Sequence, residues 1–141
     1  MTQITSTDRS QQVQAEWAGG IRQAVFAYFH GVHEGDEHKL RTAFHPDARV
    51  VGAFDGKATD MSMDDFVGLI KGMASDASKG LEMQKWILSM DVVGPHAVVR
   101  ARVRSGDRWF NDFLVLGQGQ SGWQIRFKTF NDADPNQAPK E

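Results

Sequence analysis

Four of the five histidines in this 141-residue chain fall between residues 30 and 45, among carboxylates. His30, His33, His38 and His45 are interleaved with Glu34, Asp36, Glu37 and Asp47, a mixture able in principle to chelate a metal or to move protons. Helical geometry argues against the metal. At about 100° per residue, the apolar stripe of a helix over roughly residues 20–34 centres near Ile21 and Val32. His30 lies opposite that stripe and His33 about a quarter-turn off it, so both share a polar outer face with Gln23 and Glu34. A catalytic metal sits in a shaped, water-excluding cavity instead. No metal site is expected, and no cofactor. His45 differs, because Pro46 holds its backbone extended where a short helix hands over to a strand. Its side chain can turn inward to meet a ligand or cap the helix C-terminus.

Two polar residues on apolar faces carry a different chemistry. Tyr28 lies inside the stripe made by Ile21, Val25, Phe29 and Val32. A buried phenol left unpaired costs about 1–3 kcal/mol, so its hydroxyl needs a core carbonyl or a group in a cavity between helix and sheet. The second residue is Asn111. "HAVVRARVR" (96–104) alternates Val99, Ala101 and Val103 with Arg100, Arg102 and Arg104. "RWFNDFLVL" (108–116) alternates Trp109, Asn111, Phe113 and Val115 with Phe110, Asp112, Leu114 and Leu116. A three-residue "SGD" loop between them sets Arg100 opposite Asp112 and Val99 opposite Phe113, which pairs the charges. Asn111 then faces the helices, and Tyr28 and Asn111 stand on facing walls of one core. Phe54, Trp86, Trp109, Phe113 and Phe130 are the expected lining of a cavity between them. The other face, with Arg100, Phe110, Asp112 and Leu114, suits a homodimer contact.

These groups need elements to hold them. Gly35 stops the first helix, Asp36 caps a short second one containing Leu40 and Phe44, and Pro46 ends it. "ARVVGAF" reads as a strand and "DGK" as a turn into a short second strand. Ser62 with Asp65 starts a third helix carrying Phe66, Leu69, Ile70 and Met73. The period then changes to two, giving strands in "KWILSMDVV", "HAVVRARVR", "RWFNDFLVL" and "WQIRFKTF". Three helices followed by an antiparallel sheet is an α+β arrangement. Residues 1–12 and 132–141 lack apolar periodicity and are expected as mobile tails around a single domain, 13–131.

Composition narrows the function. With 16 basic and 18 acidic residues the net charge is −2, which disfavours nucleic acid and anionic membrane as partners. There is no cysteine, so disulfides, thiolate catalysis and cysteine-ligated zinc are excluded. The polar N-terminus has no secretory pattern and no apolar run reaches a membrane span, so a cytoplasmic protein is expected.

A helix bearing Tyr28, then "EGD" (34–36), "LRTAFHPDARVVG" (40–52), a third helix and "FNDFLVL…GWQIRFKTF" together resemble the nuclear transport factor 2-like superfamily. Within it the chain is most similar to the putative lumazine-binding, SnoaL-like group. The resemblance implies a cone-shaped roll in which three N-terminal helices close a curved antiparallel sheet around a pocket, with dimers formed through the outer sheet face. It also permits a comparison by position with Δ5-3-ketosteroid isomerase. That enzyme's oxyanion-hole tyrosine falls at Tyr28, and its second donor, a protonated Asp, at Asn111 or the neighbouring Asp112. Its general base falls at Gly52, which has no side chain. The resemblance thus implies donors for a carbonyl or enolate oxygen without the isomerase's base. Three functions follow as expectations. The first is a dimeric small-molecule-binding protein with an apolar pocket and a Tyr/Asn polar end. The second is a SnoaL-like lyase, isomerase or hydrolase acting on a carbonyl-containing or polycyclic molecule, with His45, Asp55 or Asp91 as base. The third is a dimerisation or association domain.

Overall fold

The computed structural model describes residues 6–133. Helix α1 (Ser6–Glu34) begins earlier than its apolar stripe requires, inside the segment expected as an arm. Residues 1–5 of that arm and 134–141 of the expected tail lie outside the described residues. After α1 the chain turns at Gly35, whose φ of +68° glycine adopts without strain. The Asp36 side chain then accepts the Lys39 N–H at 3.1 Å and caps α2 (Glu37–Ala43). Helix α3 (Met63–Lys71) opens on a full capping box between Ser62 and Asp65, and it buries Phe66, Val67 and Ile70.

Six strands form one open sheet: β1 (Phe44–Phe54), β2 (Lys57–Met61), β3 (Lys85–Val93), β4 (His96–Ser105), β5 (Arg108–Gly119) and β6 (Gly122–Asp132). Their order is β2-β1-β6-β5-β4-β3. All neighbours are antiparallel except β1 and β6, so the sheet is mixed rather than wholly antiparallel. Parallel neighbours need a long crossover, and here the whole of β2 through β5 supplies it. The three helices lie on one face of this sheet. Ile21, Val25 and Phe29 of α1 are buried against Val50, Val99, Leu114, Leu116 and Ile125. Among the described residues, no helix is long and apolar enough to cross a membrane.

The β4–β5 register corrects the expected one. The loop has two residues, Gly106 and Asp107, because Ser105 pairs with Arg108. Gly106 has φ +64°, which suits the first central position of a two-residue hairpin. Ala101 therefore stands opposite Asp112, Arg102 opposite Asn111, and Arg100 opposite Phe113. Because the side-chain period is two, this one-residue change sends Phe110, Asp112, Leu114 and Leu116 toward the helices, and Trp109, Asn111, Phe113 and Val115 outward. The charge pairing that favoured the longer loop is not needed: Asp112 finds a hydroxyl inside, and arginine beside aromatic rings is a favourable arrangement.

A second phase change lies in β6. Leu116 pairs with Ile125 but Val115 pairs with Phe127, so Arg126 is an extra residue on this strand. The bulge puts Lys128 and Phe130 on the same inner face as Trp123 and Ile125, and turns Phe127 out.

Candidate functional site

Between α1, α3 and the far end of the sheet lies a cavity of about 690 Å³. That is within the usual range for a small-molecule pocket. Its walls are largely apolar: Phe54, Phe66, Phe110 and Phe130 are joined by Val32, Met61, Ile70 and Val103. Phe110 packs edge-on against Phe130 with ring centroids 5.9 Å apart, and Phe54 lies 6.0 Å from Phe110. At the rim, Arg108 grips Asp55 through two bonds of 2.7 and 3.0 Å and lies 4.4 Å above the Phe54 ring. Across from it, Asp76 accepts the Gly106 N–H with both oxygens at 3.0 Å, which anchors the β4–β5 turn.

The polar end is built by three elements. Tyr28 on α1 donates its hydroxyl to Asp112 Oδ2 on β5 at 2.6 Å, and both residues are buried. Burial, then the Asp112 charge and the bond itself, hold the Tyr28 phenol well above its ordinary value, so it stays a proton donor. Asp112 is 0 % exposed, and its other oxygen, Oδ1, is buried without a hydrogen-bond partner. Lys128 on β6 is 7 % exposed and also lines the cavity. Its Nζ lies 4.7 Å from the centroids of both Tyr28 and Phe66 and 5.1 Å from that of Phe130. Those ring faces hold the cation in place of hydrogen-bonding oxygens. Burial lowers the Lys128 amine from its ordinary value, opposed by the charge of Asp112. A second buried amine, Lys85 on β3, donates to the Arg104 carbonyl oxygen and is pushed down to about 8, chiefly by burial.

Of the residues singled out in the sequence, the structure brings Tyr28, Asp112, Phe54 and Phe130 to this cavity. Asn111 is not there. It lies on the outer face, where its amide donates to Asn131 Oδ1 at 3.2 Å. Trp86, Trp109 and Phe113 are on that outer face as well, and the two tryptophans stack with centroids 5.7 Å apart and planes 10° from parallel. The cause is the same one-residue register change. His45 does not turn inward beneath the helices: it is half-buried outside the cavity, and its Nδ1 accepts the Asp47 N–H at 3.0 Å. His30 pairs with Glu34 on the surface, and His33 is half-buried. Among the described residues, no group of three His, Cys, Asp or Glu side chains is placed to hold a metal. The expected dimer patch is also corrected, since Phe110, Asp112 and Leu114 point into the protomer and only Arg100 of the four faces out.

Gly52 stands where the isomerase resemblance requires a base. An added Cβ there would come within 2.5 Å of both the Phe130 ring and the Phe130 carbonyl oxygen. Gly52 is paired with Phe130 across the β1–β6 ladder, so the aromatic wall occupies the space of the missing side chain. Lys128, Lys85 and Asp76 went unnoticed in the sequence. Simple alternation in "WQIRFKTF" groups Trp123, Ile125 and Phe127, which turns Lys128 to the opposite face; the bulge that reverses it has no clear signature. Lys85 opens its strand and reads as an ordinary terminal charge.

Three helices closing a curved, open sheet around an interior cavity define the nuclear transport factor 2-like class. The chain belongs to the family described as putative lumazine-binding, whose model matches residues 17–131. Solved structures agree on the fold. A nuclear transport factor 2-like protein from Silicibacter pomeroyi is 24% identical with a TM-score of 0.79, covering 85% of this chain and 98% of its own. One from Shewanella baltica is 21% identical at TM-score 0.75, covering 85% and 96%. One from Methylobacillus flagellatus is 22% identical at 0.71, covering 83% and 92%. No curated protein matches the sequence.

Proposed function

We propose that the protein binds a flat aromatic small molecule in the cavity, with the hydrogen-bonding edge of that molecule held by Asp112 and Lys128. One observation carries this reading: a buried acceptor, Asp112 Oδ1, has no hydrogen-bond partner, and a buried ammonium held only by ring faces lines the same cavity. An unpaired buried polar group costs about 1–3 kcal/mol, which a ligand offering both a donor and an acceptor would recover. An N–H beside a carbonyl, the edge of pteridine-2,4-dione (lumazine), has that pattern. The family description supports the same chemistry. The polar end is thus Tyr28, Asp112 and Lys128, in place of the Tyr28/Asn111 pair.

Binding is favoured over a SnoaL-like reaction because none of the three candidate bases lines the cavity. His45 and Asp55 are engaged elsewhere, and Asp91 is exposed on the outer face of β3. The test is isothermal titration of the full chain with pteridine-2,4-dione and with naphthalene-sized carbonyl compounds. Saturable binding with one ligand per chain and a negative heat-capacity change is expected. A correctly folded chain that binds none of them would sink the reading.

The outer sheet face supports a homodimer built from other residues than those first expected. Val98, Phe113, Val115 and Phe127 are between 37 and 45% exposed and lie side by side across β4, β5 and β6. An apolar patch of this kind, flanked by Arg100, suits a self-complementary contact. Light scattering at micromolar concentration should return twice 15.7 kDa, and Phe113→Glu should shift it to the monomer. A wild-type monomer would remove the proposal.

A further inference from the structure

We infer that Lys128 is an amine nucleophile that captures an aldehyde or ketone ligand as an imine inside the cavity. The inference rests on the cavity being a ligand site, and it adds a second class of ligand, aldehydes and ketones, beside the hydrogen-bonded edge proposed above.

Lys128 Nζ is surrounded by aromatic rings. Three aromatic rings, those of Tyr28, Phe66 and Phe130, lie within 5.1 Å of it, and all three line the cavity. Among the described residues it makes no ion pair and no side-chain hydrogen bond. Lysines that serve structure are normally tied to a carboxylate or a carbonyl, as Lys85 is tied to the Arg104 oxygen. Lys128 instead has a lone pair free to add to an electrophile once its proton leaves. Desolvation in an apolar site is a recognised way to activate a lysine for that step. The burial that lowers this amine from its ordinary value acts in the required direction.

Asp112 supplies the second requirement. Its Oδ1 shares the cavity and has no hydrogen-bond partner, while Oδ2 is occupied by the Tyr28 hydroxyl. The neutral amine adds to the carbonyl carbon, the C–N bond forms as the C=O π electrons move to oxygen, and that oxygen takes a proton from solvent to become a hydroxyl. Asp112 takes the proton released from nitrogen and returns it to the carbinolamine hydroxyl. That hydroxyl leaves as water and the C=N bond closes. Carbonyl compound plus amine gives protonated imine plus water once one proton is taken up; no oxidant or reductant is needed. The cation so formed remains beside the Asp112 carboxylate. Phe54, Phe110 and Phe130 would flank the aromatic part of the ligand.

The experiment treats the full chain with 2-naphthaldehyde and sodium cyanoborohydride, then reads intact mass and a peptide map. One reduced adduct per chain is expected, on the peptide containing Lys128. It should form measurably faster than labelling of any surface lysine, since burial among the rings leaves more of this amine as free base at a given pH. Lys128→Met should lose the adduct and Lys85→Met should keep it. If Lys128→Met does not fold, the wild-type peptide map decides alone. Parallel titration with 2-naphthalenemethanol, which has the same ring system and no carbonyl, separates the two readings. Binding of the alcohol with aldehyde labelling spread over surface lysines would overturn the imine while leaving the binding site standing. Failure of both the titration and the Lys128 adduct would overturn the two together.

Discussion

Gly52→Ala is expected to lower stability by about 1–3 kcal/mol, and Gly52→Asp by more. The reason is a backbone contact. The added Cβ meets the Phe130 carbonyl oxygen as well as its ring, and a backbone oxygen in a sheet ladder cannot swing away as a side-chain tip can. The aspartate adds a carboxylate wedged against an aromatic ring with no hydrogen-bond donor supplied for it. Chemical denaturation with both variants is the check. A Gly52→Ala protein as stable as wild type would show that the β1–β6 contact yields easily. Gly52→Asp would then offer a route to restoring a base at this position. The expected loss means that the chain cannot be turned into the isomerase's active site by one residue.

The second large effect concerns pH. Lys85 is pushed down to about 8 in the folded protein, against 10.5 for an ordinary lysine, and Lys128 is lowered as well. Between those values the unfolded chain holds protons that the folded chain has released. Stability therefore rises with pH across that window, by up to about 3 kcal/mol for Lys85 alone. Tyr28 acts in the opposite sense above the ordinary tyrosine value of about 10, because its raised pKa makes the unfolded chain lose the phenol proton first. Urea midpoints should climb from about pH 8 to about pH 10 and then turn over. Lys85→Met should flatten the climb. A wild-type midpoint that falls steadily from pH 8 upward would contradict the burial of these amines.

Much of the fold was legible because its signals are local. The Gly35–Asp36 break, the Ser62–Asp65 box and the turn at Gly56 each act within four residues, and each appears where the sequence puts it. The candidate site was legible in part. Tyr28 is a polar residue in an apolar stripe, and that single anomaly marks a wall of the cavity. Its partner was misplaced by one residue because register depends on a loop length that "RSGDR" does not decide. Both registers leave one apolar-rich face of β5 inside. Trp109, Phe113 and Val115 look as suited to a core as Phe110, Leu114 and Leu116. The apolar count could not choose between them, and the charge pairing chose wrongly. Lys128 was hidden for a similar reason, since one bulge at Arg126 reverses the face of everything after it in β6.

On the proposed function, the inward face of β5, with Asp112, forms the polar end of a ligand site, and the Asn111 face does not. This is tested most directly by titrating pteridine-2,4-dione into wild type, Asp112→Asn and Asn111→Ala under identical conditions. Asp112→Asn should weaken binding by about 1–3 kcal/mol, roughly five- to 150-fold, because one of the two acceptor oxygens becomes an N–H donor and the charge is lost. Asn111→Ala should stay within about twofold of wild type, as surface substitutions usually do. Binding that is weakened by Asn111→Ala and untouched by Asp112→Asn would contradict the account.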